Sequence, residues 1–179
     1  MCRICEGFSL DDVLALDAAR IAEYGFVIIG VEGREPDHGP WAYTVGLLDA
    51  ADHPELIMAG PKLETCGPIL SVLGHAVVDE GERFDVGDRI DTPLGDAIVG
   101  VVHQIQYALD TFNFWYNLHE FGALRTHALE AVQIVLPPGF FCHEHRDSQP
   151  VLAHQLARVG ERPANRAERR RRRPRKRPS

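Results

Sequence analysis

The apolar positions change their spacing several times along the chain, and each change marks a predicted element. Over Leu10–Tyr24 the positions Val13, Leu14, Leu16, Ala18, Ile21 and Ala22 recur at helical spacing. Ser9 stands where an N-cap would, Asp11 and Asp12 suit the positive end of a helix, and Gly25 ends it. Residues 26–31 form a short apolar run with β-branched members, the pattern of a buried strand. A Gly/Pro/Asp turn follows at 33–40. Residues 41–47 and Glu55–Ala59 read as two further strands joined by a loop over 48–53, as in a hairpin. Leu63–Val78 reads as a helix with Ile69, Leu70, Leu73, Val77 and Val78 on one face, Pro68 in its first turn, and Gly81 at its end.

The second half continues with a turn at Val86-Gly87-Asp88 into a short strand, then a long alternating strand over 97–109. Asp110 is placed to cap a short aromatic helix running to Phe121. Residues 129–136 are the last core strand, stopped by Pro137-Pro138-Gly139, and 151–159 are compatible with a final helix. Strands come in runs with helices between them. The expected fold class is therefore α+β, with a mostly antiparallel sheet or a small split barrel and flanking helices.

Length and charge refine this outline. The 179 residues suit one domain with extensions: a Cys-x-x-Cys segment at 1–9, a single α+β domain at 10–157, and an Arg-rich tail at 158–179 expected to be disordered. Hydrophobic residues at 45% suffice for a core. No apolar run approaches the length of a membrane span, and no early basic-then-apolar segment resembles an export signal. The expectation is a cytoplasmic protein with no membrane partner. The net charge of −7 conceals a split: the tail from Arg158 carries about +9 and the preceding body about −16. The body would repel nucleic acid; the tail would attract it or fold back on the body.

Four cysteines without an export signal read as thiols or metal ligands. Cys2 and Cys5 have the spacing that lets two sulfurs reach one ion. Cys142 with His145, or with His143, offers the rest of a tetrahedral zinc site of the Cys₃His type, if the two halves meet in space. Closed ligation of that kind fits a structural or sensing role. His53-Pro54-Glu55 offers either an acid/base pair or a strand junction fixed by hydrogen bonds to backbone. Tyr43 and Thr44 could line the same pocket. Phe112, Phe114, Trp115, Tyr116 and Phe121 form an aromatic group that is either packing or a stacking surface for a flavin or a base. His119 and His127 read as isolated structural or surface residues. A Walker or dinucleotide phosphate loop and a Gly-x-Ser-x-Gly elbow are absent. In the tail, Arg169, Arg170, Arg171, Arg172, Arg173, Arg175, Lys176 and Arg177 make eight of nine consecutive residues basic. Arg forks grip phosphates, and each neutralised phosphate releases counterions.

Gly25-Phe26, Ala42-Tyr43-Thr44-Val45-Gly46-Leu47 and His53-Pro54-Glu55-Leu56 followed by Gly60 together resemble the family known as domain of unknown function 4262. Gln133-Ile134-Val135 and Gln149-Pro150-Val151-Leu152 extend the resemblance, which covers about residues 2–155. An early Cys-x-x-Cys is frequent in that family and is matched by Cys2 and Cys5. The family's acidic-Gly-Phe-Pro-Trp turn is replaced here by Pro137-Pro138-Gly139-Phe140-Phe141-Cys142-His143. The resemblance implies no particular activity. The element order is also similar to flavin-binding split barrels, at the level of fold alone.

The leading expectation is a non-catalytic cytoplasmic binding protein, zinc-capable and in contact with RNA, for instance on a ribosome, through its tail. One rival is a split-barrel flavoprotein with its ligand near Tyr43, Thr44, His53 and Trp115. Another is an accessory protein of a peptide-modification pathway that binds a peptide at a sheet edge. A homo-oligomer is compatible with each.

Overall fold

The computed structural model describes residues 6–32, 40–59, 62–92, 95–101 and 111–136. Four helices and six strands lie in these segments: α1 (Leu10–Tyr24), β1 (Val27–Val31), β2 (Trp41–Val45), α2 (Leu47–Ala51), β3 (Glu55–Ala59), α3 (Leu63–Val78), β4 (Arg89–Thr92), β5 (Gly95–Val101), α4 (Asn113–Glu120) and β6 (Ala131–Val135). The strands form one sheet in the order β1-β2-β3-β6-β5-β4. Every neighbouring pair is antiparallel except β3 with β6, which is parallel. The fold class is the expected α+β with a mostly antiparallel sheet. Among the described residues the sheet is open, with β1 and β4 as its edges, the open-sheet form of that expectation.

Alternation along the strands divides the core between the two faces. On one face, Ala42, Leu56, Met58, Val99, Val132 and Ile134 pack under α3 through Cys66, Ile69, Leu70, Leu73 and Val77. On the other, Val27, Tyr43, Val45 and Ile57 meet Leu14 of α1 and Trp115 and Leu118 of α4. Every residue of the central strand β3 is buried, because both faces are covered.

The helix ends follow local chemistry. Ser9 and Asp12 form a reciprocal capping box at the start of α1, with Asp12 N–H donating to Ser9 Oγ at 3.2 Å and Ser9 N–H to Asp12 Oδ2 at 3.1 Å. Gly25, at φ +84°, closes the helix by donating to the Ile21 carbonyl. Three expectations need correction. Pro68 is the sixth residue of α3 rather than part of its first turn, so it removes one internal hydrogen bond. That helix ends at Val78 with Asp79 as its cap, ahead of Gly81. The expected loop over 48–53 also contains a helix, α2. The expected strand over 97–109 is described only as β5; the Asp110 cap and the helix at 151–159 lie outside the described residues.

Gly74 of α3 stands directly against the ring of Phe26, which follows the α1 cap. A methyl group there would overlap the Phe26 ring. Gly74→Ala should therefore destabilise the fold by about 1–3 kcal/mol through overpacking, despite the roughly 1 kcal/mol that alanine gains over glycine in a helix. Urea unfolding of the two proteins measures the sign directly, and a stabilised variant would show that the ring gives way freely.

Candidate functional site

The His-Pro-Glu segment lies where β2, α2 and β3 meet. Chain direction reverses tightly at Gly46, whose φ is +119° and where a Cβ would stand 2.6 Å from the Gly25 carbonyl oxygen. Only glycine fits both demands. The next residues begin α2, and Gly46 as its N-cap supplies no side chain to satisfy the first N–H groups.

Glu55 fills that need from the adjacent strand. Its Oε1 accepts from Gly46 N–H at 2.8 Å and Leu48 N–H at 3.5 Å; its Oε2 accepts from Leu47 N–H at 3.3 Å. The Thr44 hydroxyl donates to Oε2 at 2.7 Å and accepts from Leu56 N–H at 2.8 Å. The β2–β3 backbone register runs from Trp41↔Ala59 to Tyr43↔Ile57. Thr44 and Glu55 thus continue the connection with side chains beyond that register. Glu55 is fully buried, and burial pushes its carboxyl up to about 7 despite the opposing pull of Thr44 and the three N–H donors.

His53 faces elsewhere. Its Nε2 accepts from Phe84 N–H at 2.9 Å and its Nδ1 lies 2.6 Å from the Pro54 carbonyl oxygen. Both contacts are satisfied at once by the neutral ring with its proton on Nδ1. Burial lowers the pKa of His53 below 6.5, and the Arg83 charge lowers it further against the Pro54 bond and Asp85. Arg83 Nη1 also donates to the Asp52 carbonyl at 2.7 Å. Pro54 separates the two directions: His53 fastens the loop leading to β4, and Glu55 fastens α2. Their hydrogen bonds go to backbone groups and Thr44, the junction arrangement of the two left open by the sequence.

Asp49, on α2, was not singled out by the sequence. Its carboxylate accepts from Arg125 N–H at 2.5 Å, from Thr126 N–H at 2.8 Å and from the Thr126 hydroxyl. Burial would raise its pKa, but these bonds and the Arg125 charge outweigh it and hold the carboxyl below its usual value. α2 thereby ties the approach to β6, while Asp52 and His53, just beyond it, tie the approach to β4. The signal was weak because all the partners are distant in sequence and two of the three donors are backbone N–H groups.

The other named residues are placed as follows. Tyr43 is buried against Phe112 and its hydroxyl accepts from Phe114 N–H at 3.2 Å, at the start of α4. Burial raises its pKa strongly. Thr44 is committed to Glu55 and Leu56. Trp115 is 2% exposed and lies parallel to His119 at 5.5 Å. Phe121 is exposed. Cys2, Cys5, Cys142, His143 and His145 fall outside the described residues, as does the basic run from Arg169 to Arg177. Cys66 is buried in the core, which pushes its thiol up to about 12. Among the described residues no group of three or more His, Cys, Asp or Glu is arranged to hold a metal ion. Nor is any described helix long and apolar enough to cross a membrane.

An open, mostly antiparallel six-stranded sheet with helices on both faces thus defines the class. The family model described as a domain of unknown function (DUF4262) matches residues 20–139, and the chain belongs to that family. The matched span holds the whole α2 junction, whereas Cys2, Cys5, Cys142, His145 and the tail lie beyond it. No curated protein and no solved structure matches the chain.

Two outcomes follow for the junction. Glu55→Gln turns an amide NH₂ toward existing donors and should cost about 2 kcal/mol. The folded carboxyl titrates above its unfolded value of 4.5, so its stabilising contribution is full below pH 4.5 and falls as pH rises to about 7. The gap between wild type and Glu55→Gln in urea unfolding should widen as pH drops through that window; a constant gap would show that the carboxyl does not titrate there. His53 has the opposite sign. Its folded pKa is depressed, so its contribution is present above pH 6.5 and declines as pH falls below it. His53→Gln should lose that part of the acid sensitivity, and identical pH profiles would refute the assignment of a neutral ring.

Proposed function

We propose that this is a non-catalytic, cytoplasmic binding protein that contacts RNA through Arg169–Arg177 and carries zinc on Cys2, Cys5, Cys142 and His145. The observation that carries this reading is the charge split: eight of nine consecutive residues are basic, on a chain whose remaining body is strongly acidic. An acidic body offers phosphates no surface, so the polyanion contact is confined to the tail. The commitment of His53, Glu55, Tyr43 and Thr44 to backbone and to one another supports a binding role over a catalytic one. The fold then serves as a rigid carrier for its two termini.

The binding is expected to be salt-sensitive and indifferent to sequence. With all eight basic residues engaged on single-stranded RNA, the log–log salt slope would approach about −5 to −6. Removing residues 160–179 should abolish the salt-sensitive part in a filter-binding or anisotropy assay. Unchanged affinity would assign RNA binding elsewhere or nowhere. For zinc, metal content of the purified protein should fall in Cys2→Ser/Cys5→Ser; equal content in both, or none in either, would remove the zinc part.

A further inference from the structure

His119 and His127 are eight residues apart, yet the chain brings their rings together. His119 lies in the last turn of α4, and Gly122, at φ +84°, turns the chain back. His119 Nε2 and His127 Nδ1 stand 3.3 Å apart with the rings nearly perpendicular, at 81°. Each ring rests on a fixed base. His119 lies flat on Trp115, one helical turn earlier and itself in the core. Thr126, directly before His127, is bonded to Asp49 through both its N–H and its hydroxyl.

We propose that His119 and His127 form a binding site for a divalent transition ion that favours imidazole, zinc being the natural occupant. Two imidazole nitrogens on one tetrahedral zinc, each about 2.0–2.1 Å from the ion, lie about 3.3–3.4 Å from each other. The observed separation already has that value. Without an ion, the same distance is spanned by one shared proton, donated by one ring to the other. On metal binding, the donating ring shifts that proton to its outer nitrogen, so both inner lone pairs face the ion. Neither ring changes charge, and little ordering is required because both bases are fixed. Water completes the coordination. The site uses none of Cys2, Cys5, Cys142 and His145.

Trp115 makes the site visible. Nickel(II), which accepts imidazole ligands, should quench Trp115 emission when held by the stacked ring, while Trp41 supplies a residual signal. Zinc should compete for the site and restore the emission. In His127→Ala the stack on Trp115 remains but the second ligand is gone, and half-quenching should require at least roughly tenfold more nickel. His127 is exposed, so the variant should match wild type in circular dichroism and thermal midpoint. Cys2→Ser/Cys5→Ser should quench like wild type, which separates this site from the terminal one. Equal half-quenching in wild type and His127→Ala, no quenching, or quenching that follows the cysteines would overturn the proposal.

Discussion

Glu55 places a carboxylate where water does not reach, and the first turn of α2 and the Thr44 hydroxyl converge on it. The arrangement solves two problems with one group. A helix starting at glycine has unpaired N–H groups, and a buried carboxylate has unpaired lone pairs. Each is costly alone, and pairing them offsets part of both costs. The helix so held is the point from which the rest of the junction is fixed. Asp49 reaches the segment before β6, while Asp52 and His53 reach the segment before β4. The position of the far half of the sheet relative to the near half is therefore set partly by five residues of helix.

This gives the segment from Tyr43 to Glu55 a physical meaning. Thr44, Gly46 and Glu55 form one bonded unit, flanked by the anchors Tyr43 and His53. Tyr43 holds the start of α4, Thr44 and Glu55 join two strands to a helix, Gly46 permits the turn, and His53 clamps a distant loop. Residues with acid/base chemistry can be selected for hydrogen-bonding capacity alone. Here the geometry of their partners, rather than their identity, separates the two uses.

Much of the fold was legible from pattern. The bounds of α1 follow from its capping residues, and those of β3 and α3 from periods that local sequence carries. α2 was not legible, because its cap is a side chain from the following strand rather than a residue before it. The parallel pairing of β3 with β6 was likewise hidden, since no turn connects them. Pro68 misled because the helix starts earlier than its preferred position would suggest. Within the candidate site, His53 and Glu55 were identifiable as residue types, but their opposed directions depend on partners at 84 and 46–48. The His119–His127 pair was missed for a similar reason: it needs both the turn at Gly122 and the anchor at Asp49.

The last of the described strands in sequence is also in the middle of the sheet. β6 lies between β3 and β5, joining a meander of β1, β2 and β3 to the hairpin of β4 and β5. Until Val135 has been synthesised, these are two separate pieces, each with an unpaired inner edge that invites pairing with another chain. A ribosome making this protein must therefore emit almost the whole domain before its sheet can close. The three bonds from Asp49 to Arg125 and Thr126, immediately ahead of β6, place the incoming strand at its slot. A nascent chain lacking that anchor would present the same residues but deliver its closing piece late, with premature association rather than lost contacts as the main hazard.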